Sequence, residues 1–380
     1  MRLIKQLPDP FLTADGGRVG TVDEWSQHRE HITSMMLGMQ YGTMPGAPDR
    51  VSVDAGSATP TDAGHTEEVV RFQFTPRGDR PDVTLGMEAT VRRPSPEAIV
   101  SARGRIDGFG DDGLPTLIYV GGGDFPTLLD GGYMIVSYEN NQIEPMDMGN
   151  PVVGIARDAY DMIDPGAYSW GSISTWAWGA LRLVDYALTL DEVEPDRLLI
   201  SGHSRNGKTA LLAGALDERI ALVNPAGSGC AGAGSYLALG EGCEDLAALT
   251  SRERWWAWTH RDFEQWAGKE EDLPFDQHFL MGLVAPRPLL RTEGTGDDWA
   301  NPQGTCAAFL ATQPVYDFLD APDANGIHVR DGGHFQGEED VDALREFADW
   351  HLYGVPPSRD FHAVPYADGL FEDCFAWSGP

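Results

Sequence analysis

Residues 197–216 constrain the fold more than any other part of the sequence. They begin as an apolar run typical of a buried strand and continue, after a sharp corner, as an apolar helix. Ser204 lies at that corner, where a helix N-terminus favours developing negative charge. The pattern indicates a nucleophile elbow of the α/β-hydrolase type. It departs from the usual G-x-S-x-G, because Asn206 holds the place of the second glycine and Gly207 follows it. Asparagine tolerates unusual backbone angles better than most residues.

Strands and helices alternate on both sides of this elbow. We predict buried strands at 116–120, 133–138, 197–202, 220–225, 288–292 and 327–330, with helices at 173–190, 205–216, 306–319 and 341–353. The earlier runs 69–74 and 83–91 alternate apolar and polar residues, which is typical of antiparallel strands at a sheet edge. The sequence therefore predicts an α/β-hydrolase fold, with a mostly parallel central sheet and helices on both faces.

The whole chain, 1–380, is interpreted as a single domain of this kind. Residues 1–60 indicate a helical and irregular lead-in, and residues 235–275 indicate an irregular, tryptophan-rich cap insertion. The cap tryptophans either form a substrate wall or only pack the cap, and both interpretations stay open. These tryptophans are Trp255, Trp256, Trp258 and Trp266.

A serine hydroxyl is a weak nucleophile and needs a positioned base. In α/β-hydrolases the acid and the histidine follow the serine in chain order, on loops after later strands. His334 lies in a glycine-containing loop after the last predicted strand, and we expect it to be the base. The other candidates lie beside the serine, in a predicted helix or within a strand; they are His203, His278 and His328.

The base needs a carboxylate that orients its imidazole. Asp297 follows the predicted strand at 288–292 and is the expected acid, with Asp298 as the alternative. Glu293 is expected to lie inside the strand. These assignments give a catalytic triad of serine, histidine and aspartate.

The tetrahedral intermediate of acyl transfer needs an oxyanion hole. We expect one donor from the N–H of Arg205, directly after the nucleophile. Gly122 and Gly123, in the loop after the strand at 116–120, are expected to supply the second. A phosphate-binding role for these glycines is disfavoured, because no G-K-[ST] follows them. No metal or cofactor is implied, since the four cysteines form no C-x-x-C pair.

Composition excludes some classes of partner. The formal net charge is −32, so nucleic-acid binding, which needs a basic surface, is disfavoured. No stretch approaches the ~20 apolar residues that span a bilayer, so no membrane partner is expected. The polar start of the chain lacks a secretory hydrophobic region, and we expect a cytoplasmic protein, or a secreted one if a leader has been removed.

The acidic, lysine-poor composition suggests one further hypothesis. The lysines are Lys5, Lys208 and Lys269, so arginine supplies nearly all positive charge. A composition of this kind suits a halophilic protein, because salt screens the self-repulsion of an acidic surface. The alternative is an ordinary acidic protein from a GC-rich genome.

At these motifs the chain resembles the glucuronoyl esterases, carbohydrate esterases that cleave the ester between glucuronic acid on xylan and a lignin alcohol. The likeness covers most of the chain, and S-R-N-G-K is its most distinctive segment. It runs through Leu7-Pro-Asp-Pro-Phe, Trp170-Gly-Ser-Ile-Ser-Thr-Trp-Ala-Trp-Gly, Gly202-His-Ser-Arg-Asn-Gly-Lys, Leu273-Pro-Phe-Asp-Gln-His-Phe-Leu, Ala285-Pro-Arg-Pro-Leu-Leu and the Gly-Gly-His334 loop.

The resemblance implies roles for further residues. Arg205 would aid the oxyanion hole, Lys208 would contact sugar hydroxyls, and Trp299 would line the sugar site. Glu241 lies near the place of a sugar-binding glutamate, although the register there is open. Many relatives carry a catalytic glutamate in an E-S-G segment, which reads Ala226-Gly-Ser-Gly in this chain. The acid must then come from the aspartate pair.

We therefore expect hydrolysis of a carboxylic ester on a carbohydrate-type substrate, through an acyl-enzyme formed by a Ser-His-Asp triad. The expected substrate is a glucuronoyl ester. The alternative substrate is an acetyl, feruloyl or other small ester, because the departures from the family fall on the substrate side. The alternative of another class is a catalytically inactive carbohydrate-binding homologue. The expected partner is a small-molecule or oligosaccharide ester.

Overall fold

The fold was obtained as a computed structural model, which describes residues 1–145, 153–367 and 369–380. Its centre is a ten-stranded mixed sheet, in the order β12-β11-β9-β8-β6-β7-β5-β4-β2, with β3 paired to β4. A separate pair joins β1 and β10. The strands are β1 (Arg2–Leu3), β2 (Arg50–Ala55), β3 (Thr59–Pro60), β4 (Thr66–Thr75), β5 (Leu85–Arg93), β6 (Leu114–Val120), β7 (Met134–Tyr138), β8 (Val193–His203), β9 (Ile220–Ala226), β10 (Ala238–Leu239), β11 (Leu289–Gly294) and β12 (Asn325–Arg330).

Helices surround this sheet. Helices α5 and α6 pack against each other and against the central strands, whereas α10 packs against α3, β11 and β12. The α-helices are α1 (Val22–Met36), α2 (Pro96–Arg103), α3 (Pro126–Asp130), α4 (Ile155–Asp161), α5 (Ser172–Ala187), α6 (Arg205–Leu216), α7 (Leu246–Leu249), α8 (Gln277–Gly282), α9 (Pro302–Phe318) and α10 (Glu338–Tyr353). The predicted α/β-hydrolase architecture is confirmed.

Burial along the strands follows from their place in the sheet. Every residue of β6, β7 and β11 is buried, because parallel strands covered on both faces read as continuous apolar runs. In β5 buried and exposed residues alternate, and its neighbours β4 and β7 run antiparallel to it. The predicted antiparallel edge is therefore present, and it extends one strand further, to β2.

The lead-in contributes more structure than the sequence predicts. Helix α1 begins with a capping box, in which Thr21 and Glu24 satisfy each other's backbone N–H groups. Strand β2 completes the sheet edge although all six of its residues are exposed. Val51, Val53 and Ala55 alternate with polar residues in this strand, but the run is short and none of its residues is buried.

The topology brings the ends of four neighbouring strands together. Strands β8, β9, β11 and β12 are parallel, so the loops after them meet at one edge of the sheet. Ser204, Asp297 and His334 lie on three of those loops. In the part of the chain that the structure describes, no helix is long and apolar enough to cross a membrane.

Candidate active site

The elbow holds Ser204 in a strained backbone conformation. Its φ is +60° and its ψ is −123°, and its N–H donates to Ala226 O at 2.9 Å. Close backbone approach explains the glycines nearby. A Cβ on Gly202 would lie 2.4 Å from Asn206 O, and one on Gly207 would lie 2.8 Å from Ala226 O. The helix therefore needs its glycine at 207, where it meets β9.

Asn206 has a partner that a glycine could not hold. Its Oδ1 accepts from Asn140 Nδ2 at 2.8 Å. Its Nδ2 lies 2.6 Å from the place where a Cβ on Gly121 would stand. The asparagine thus joins the elbow helix to the loops after β6 and β7, which accounts for the departure from G-x-S-x-G.

Ser204, His334 and Asp297 form one hydrogen-bonded chain. His334 Nε2 lies 2.8 Å from Ser204 Oγ, and His334 Nδ1 lies 2.6 Å from Asp297 Oδ2. Both distances are those of direct hydrogen bonds. The imidazole is about one third exposed, whereas the carboxylate is buried. This arrangement can take a proton from the serine and stabilise the resulting imidazolium.

The structure separates the two candidate acids. Asp297 is 3% exposed, and its Oδ1 also accepts from the backbone N–H of Ala300 at 3.2 Å. Asp298 begins a short 3₁₀ turn and is exposed to solvent. The imidazole therefore meets Asp297, and its neighbour is a surface charge.

A second imidazole lies beside the triad. The rings of His203 and His334 are 4.5 Å apart, and His203 Nε2 is buried without a hydrogen-bond partner among the described residues. Burial lowers the pKa of His203 to about 4, and the nearby His334 adds to this effect. His203 is therefore neutral at physiological pH. His278 and His328 lie elsewhere, against Pro8 O and Glu339 respectively.

Arg205 is well placed to stabilise an oxyanion. It is the first residue of α6, so its N–H has no intrahelical acceptor. Its guanidinium lies 5.9 Å from the centre of the Trp176 ring, and its Nε is buried without a partner in the described chain. Burial lowers the pKa of this guanidinium, and the Glu139 carboxylate opposes that effect.

The structure does not bring Gly122 or Gly123 to the cavity wall beside Ser204. A Cβ on Gly122 would lie 2.1 Å from a Glu139 carboxylate oxygen. The carbonyl of Gly123 accepts from Arg92 Nη1 at 2.8 Å. A carboxylate next to Gly122 opposes negative charge on a substrate oxygen, so this loop is a poorer oxyanion site than Arg205.

A cavity of about 250 Å³ opens next to the nucleophile. One part of its wall is charged or polar, and another part is aromatic. The lining residues are Ser204, Arg205, Lys208, Gly227, Ser228, Gly229, Glu244, Trp255, Trp258, Trp299, Ala300 and His334. Such a mixture of rings and hydrogen-bonding groups suits a ring-shaped polar ligand.

Lys208 and Glu244 form a buried pair in this wall. Lys208 Nζ lies 3.5 Å from a Glu244 carboxylate oxygen and donates to Ser228 O at 2.7 Å and to Cys230 O. The other oxygen of Glu244, Oε1, is buried without a partner in the described residues. Burial raises the pKa of Glu244, whereas Lys208 acts to lower it. The free oxygen is a ready acceptor for a ligand hydroxyl.

Glu244 is a residue that sequence reasoning missed. The expected glutamate, Glu241, lines a separate surface cavity with Met1 and Arg2, away from Ser204. Both glutamates lie in one short loop after β10, so their positions in the sequence do not show which of them enters the cavity. Lys208 of the elbow helix gave an indirect indication, because a buried lysine needs a carboxylate beside it.

The cap tryptophans divide between two roles. Trp255 and Trp258 stack with ring centres 4.6 Å apart and line the cavity beside Ser204. Trp256 lines a different cavity, of about 410 Å³, that contains no triad residue. Trp266 packs against the main core. Trp299 is 38% exposed. The guanidinium carbon of Arg254 lies over its ring, 4.8 Å from the ring centre.

No cluster of three or more metal-ligating side chains occurs in residues 1–145, 153–367 and 369–380. The four cysteines are free thiols in this structure.

Comparisons with known proteins identify the relatives of this chain. The family model described as "Glucuronyl esterase, fungi" matches residues 90–320. Carbohydrate esterase MZ0003, from an unknown prokaryotic organism, is 30% identical over 92% of this chain and 90% of its own length. A 4-O-methyl-glucuronoyl methylesterase of Phanerochaete carnosa is 28% identical over 92% of this chain and 81% of its own.

Solved structures show the same relationship. A carbohydrate esterase family 15 glucuronoyl esterase from Caldicellulosiruptor kristjansonii superposes with a TM-score of 0.80 at 28% identity. That superposition covers 99% of this chain and 98% of the other. The match therefore includes the lead-in, the sheet and the cap.

Proposed function

The chain belongs to the glucuronyl esterase family, and from that premise we propose that it hydrolyses an ester of a 4-O-methyl-glucuronic acid unit. Membership makes it a carboxylic-ester hydrolase. The relative from Phanerochaete carnosa is a 4-O-methyl-glucuronoyl methylesterase, which supports a uronic acid as the acyl part of the substrate. The observation that carries the proposal is the hydrogen-bonded chain of Ser204, His334 and Asp297 beside a cavity with sugar-binding chemistry.

Acylation begins at the serine. Ser204 Oγ attacks the ester carbonyl carbon while His334 Nε2, 2.8 Å away, accepts its proton. Asp297 holds the imidazole through Nδ1 and stabilises the positive charge that develops on the ring. The neutral His203 beside that ring adds no competing positive charge.

Arg205 is the proposed oxyanion donor. Its N–H at the start of α6 points where the helix dipole favours negative charge, and its guanidinium offers further donors. Gly122 and Gly123 remain the proposed source of a second donor, which would require movement of the Glu139 carboxylate from beside Gly122.

His334 then donates its proton to the leaving alcohol, and the ester bond breaks. Water attacks the acyl-enzyme with His334 again as base, which releases the uronic acid and restores Ser204. Acylation and deacylation therefore each end with the imidazole in its neutral state.

The sugar is proposed to lie between the charged and aromatic parts of the cavity. The free Oε1 of Glu244 would accept a hydroxyl, and Lys208 holds that carboxylate in place. Trp299 and Trp258 present apolar rings to the sugar faces. The partner is accordingly a small-molecule or oligosaccharide ester.

The geometry also accounts for the missing family glutamate. Gly227 holds the place of the E in E-S-G, and a Cβ there would lie 3.4 Å from Asp297 Oδ2. A glutamate after β9 and an aspartate after β11 therefore point at the same region of the histidine. One of them is sufficient to orient the ring, which is why we propose Asp297 for this chain.

A substrate panel tests the proposal. Purified protein should hydrolyse methyl 4-O-methyl-glucuronate and benzyl glucuronate with higher kcat/KM than 4-nitrophenyl acetate or feruloyl esters. Asp297→Asn should lower kcat by about 10⁴-fold, and the matched control Asp298→Asn should leave kcat within twofold of the wild type.

Two outcomes would contradict the proposal. If only acetyl or feruloyl esters turn over, the chain is a small-ester esterase. If a fluorophosphonate fails to label Ser204 in folded protein, the chain is a catalytically inactive carbohydrate-binding homologue.

A further inference from the structure

A buried arginine lies inside the loop that carries His334. Arg330 is the last residue of β12, and its side chain is 3% exposed. Its Nε donates to Asp340 Oδ2 at 2.7 Å, and Asp340 is 2% exposed at the start of α10. Neither residue lines the cavity beside Ser204. The reaction therefore does not use this ion pair directly.

The loop wraps around the guanidinium. Arg330 donates to Asp331 O at 3.1 Å, to Gly333 O at 3.3 Å, and to Phe335 O. The last two carbonyls belong to the residues immediately before and after His334. The Phe335 ring covers the guanidinium with its centre 3.8 Å away, which explains why this large apolar side chain is half exposed.

Two glycines leave room for this arrangement. A Cβ on Gly332 would lie 2.9 Å from Arg330 Nη1, and one on Gly294 would lie 3.1 Å from the same atom. Gly294 ends β11, just before the loop of Asp297. The arginine thus stands where the acid loop and the histidine loop meet, and Gly296 N donates to Gly332 O at 2.8 Å across that junction.

The far side of the loop has its own anchor. Gln336 Oε1 accepts from Tyr119 OH at 3.0 Å, and its Nε2 donates to Ser201 Oγ at 3.3 Å and to Asn224 Oδ1 at 3.4 Å. These three partners lie on β6, β8 and β9. The loop is therefore held by the guanidinium on both sides of His334, and Gln336 fixes it to the sheet.

We propose that Arg330, held by Asp340, is a positioning residue that keeps His334 between Ser204 and Asp297. The inference rests on the proposed function only for the role of His334 as base. A guanidinium can serve several carbonyls at fixed angles, whereas an ammonium is a single point charge. Loss of these bonds frees the residues on both sides of the histidine, and a displacement of about 1 Å costs on the order of 100-fold in rate.

The test measures how fast Ser204 reacts with a fluorophosphonate, which requires no particular ester substrate. Arg330→Met should slow labelling by about 100-fold, and Arg330→Lys by about 10-fold or more although it keeps a cation beside Asp340. On a hydrolysed ester the loss should fall on kcat, with KM within threefold. Arg345→Met, which removes ion pairs to Asp342 and Asp349 on the same helix, is the matched control and should label at the wild-type rate.

A double-mutant cycle separates positioning from general stability. In a His334→Ala background, Arg330→Met should change the residual labelling rate by less than twofold, because the residue through which it acts is gone. An equal loss in both backgrounds, or wild-type labelling by Arg330→Met, would overturn the proposal. If Arg330→Met does not fold, Arg330→Lys and Asp340→Asn in the same cycle decide it. Failure of the wild type on uronate esters would contradict the proposed substrate and leave these labelling results standing.

Discussion

Backbone strain in this protein occurs at a residue that the reaction uses. The positive φ of Ser204 is the clearest example, because a side chain in that region costs on the order of 1–3 kcal/mol unless its surroundings enforce it. Here the enforcement comes from the close packing of Gly202 and Gly207 against neighbouring backbone. The same contacts that present the hydroxyl therefore hold the serine in its unfavourable conformation.

This strain is measurable by comparing two inactive variants. Ser204→Gly should have a free energy of unfolding about 1 kcal/mol higher than Ser204→Ala, because only glycine relaxes the backbone there. Urea unfolding of both variants, with hydrolysis assays to show that neither is active, provides the measurement. Equal midpoints would mean that the backbone at 204 stores no strain.

A second residue-scale prediction concerns the glutamates of the loop after β10. Glu244→Gln should raise KM for a glucuronate ester by about 10-fold, because a hydrogen bond to a charged group is lost at a buried acceptor. Its matched control is Glu241→Gln, whose side chain lies outside the cavity beside Ser204. Comparable KM values for the two variants would remove Glu244 from the sugar site.

At the scale of elements, the elbow helix depends on how closely it approaches β9. Helix α6 begins directly after the serine, at Arg205, and its third residue, Gly207, leaves no space for a methyl group against Ala226 O. This close contact sets the distance between Ser204 and the end of β9, where Gly227 begins the loop that lacks the family glutamate. Asn206 in turn connects this helix to Asn140.

Gly207→Ala should destabilise the protein by roughly 1–3 kcal/mol and lower kcat, because the helix must shift to admit the new methyl group. The control is Gly38→Ala, in the π-helical turn Leu37–Tyr41 that follows α1, where no atom lies within 4 Å of the added carbon. That substitution should be neutral or stabilising by ~0.4–1 kcal/mol. Thermal unfolding of both variants checks the difference, and a neutral Gly207→Ala would show that the helix can move freely.

At the scale of the whole molecule, buried histidines link the fold to pH. Burial lowers the pKa of His203, His278 and His351 to about 4 each. Their ordinary value in an unfolded chain is about 6.5. Between these values the unfolded chain binds protons that the folded chain does not, so the free energy of unfolding falls as the pH falls from about 6.5 to about 4.

His278→Gln should flatten this dependence. Each histidine contributes a slope of about 1.4 kcal/mol per pH unit in the middle of the window, and the variant lacks one of them. Urea unfolding between pH 4.5 and 7 measures the slope. A His278→Gln slope equal to that of the wild type would contradict the pKa shift of His278.

The architecture and the elbow are predictable from the sequence, because both rest on local patterns. Continuous apolar runs mark buried parallel strands, and a serine between a strand and a helix marks the nucleophile. His334 and Asp297 were predictable from their order after later strands. The edge strand β2 was not predicted, because its alternation of Val51, Val53 and Ala55 with polar residues is only six residues long and no core covers it.

Which side chains meet in the site depends on how the loops pack in three dimensions. The tertiary structure brought Asp297, and not Asp298, to the imidazole, and it placed Glu244, and not Glu241, in the cavity. It also placed Arg330 inside the histidine loop. These outcomes depend on loop geometry and on pairings between residues far apart in the chain. Two acidic residues of the same type that lie close together in one loop have the same chemistry and nearly the same position in the chain. No local sequence pattern can therefore distinguish the one that enters the site.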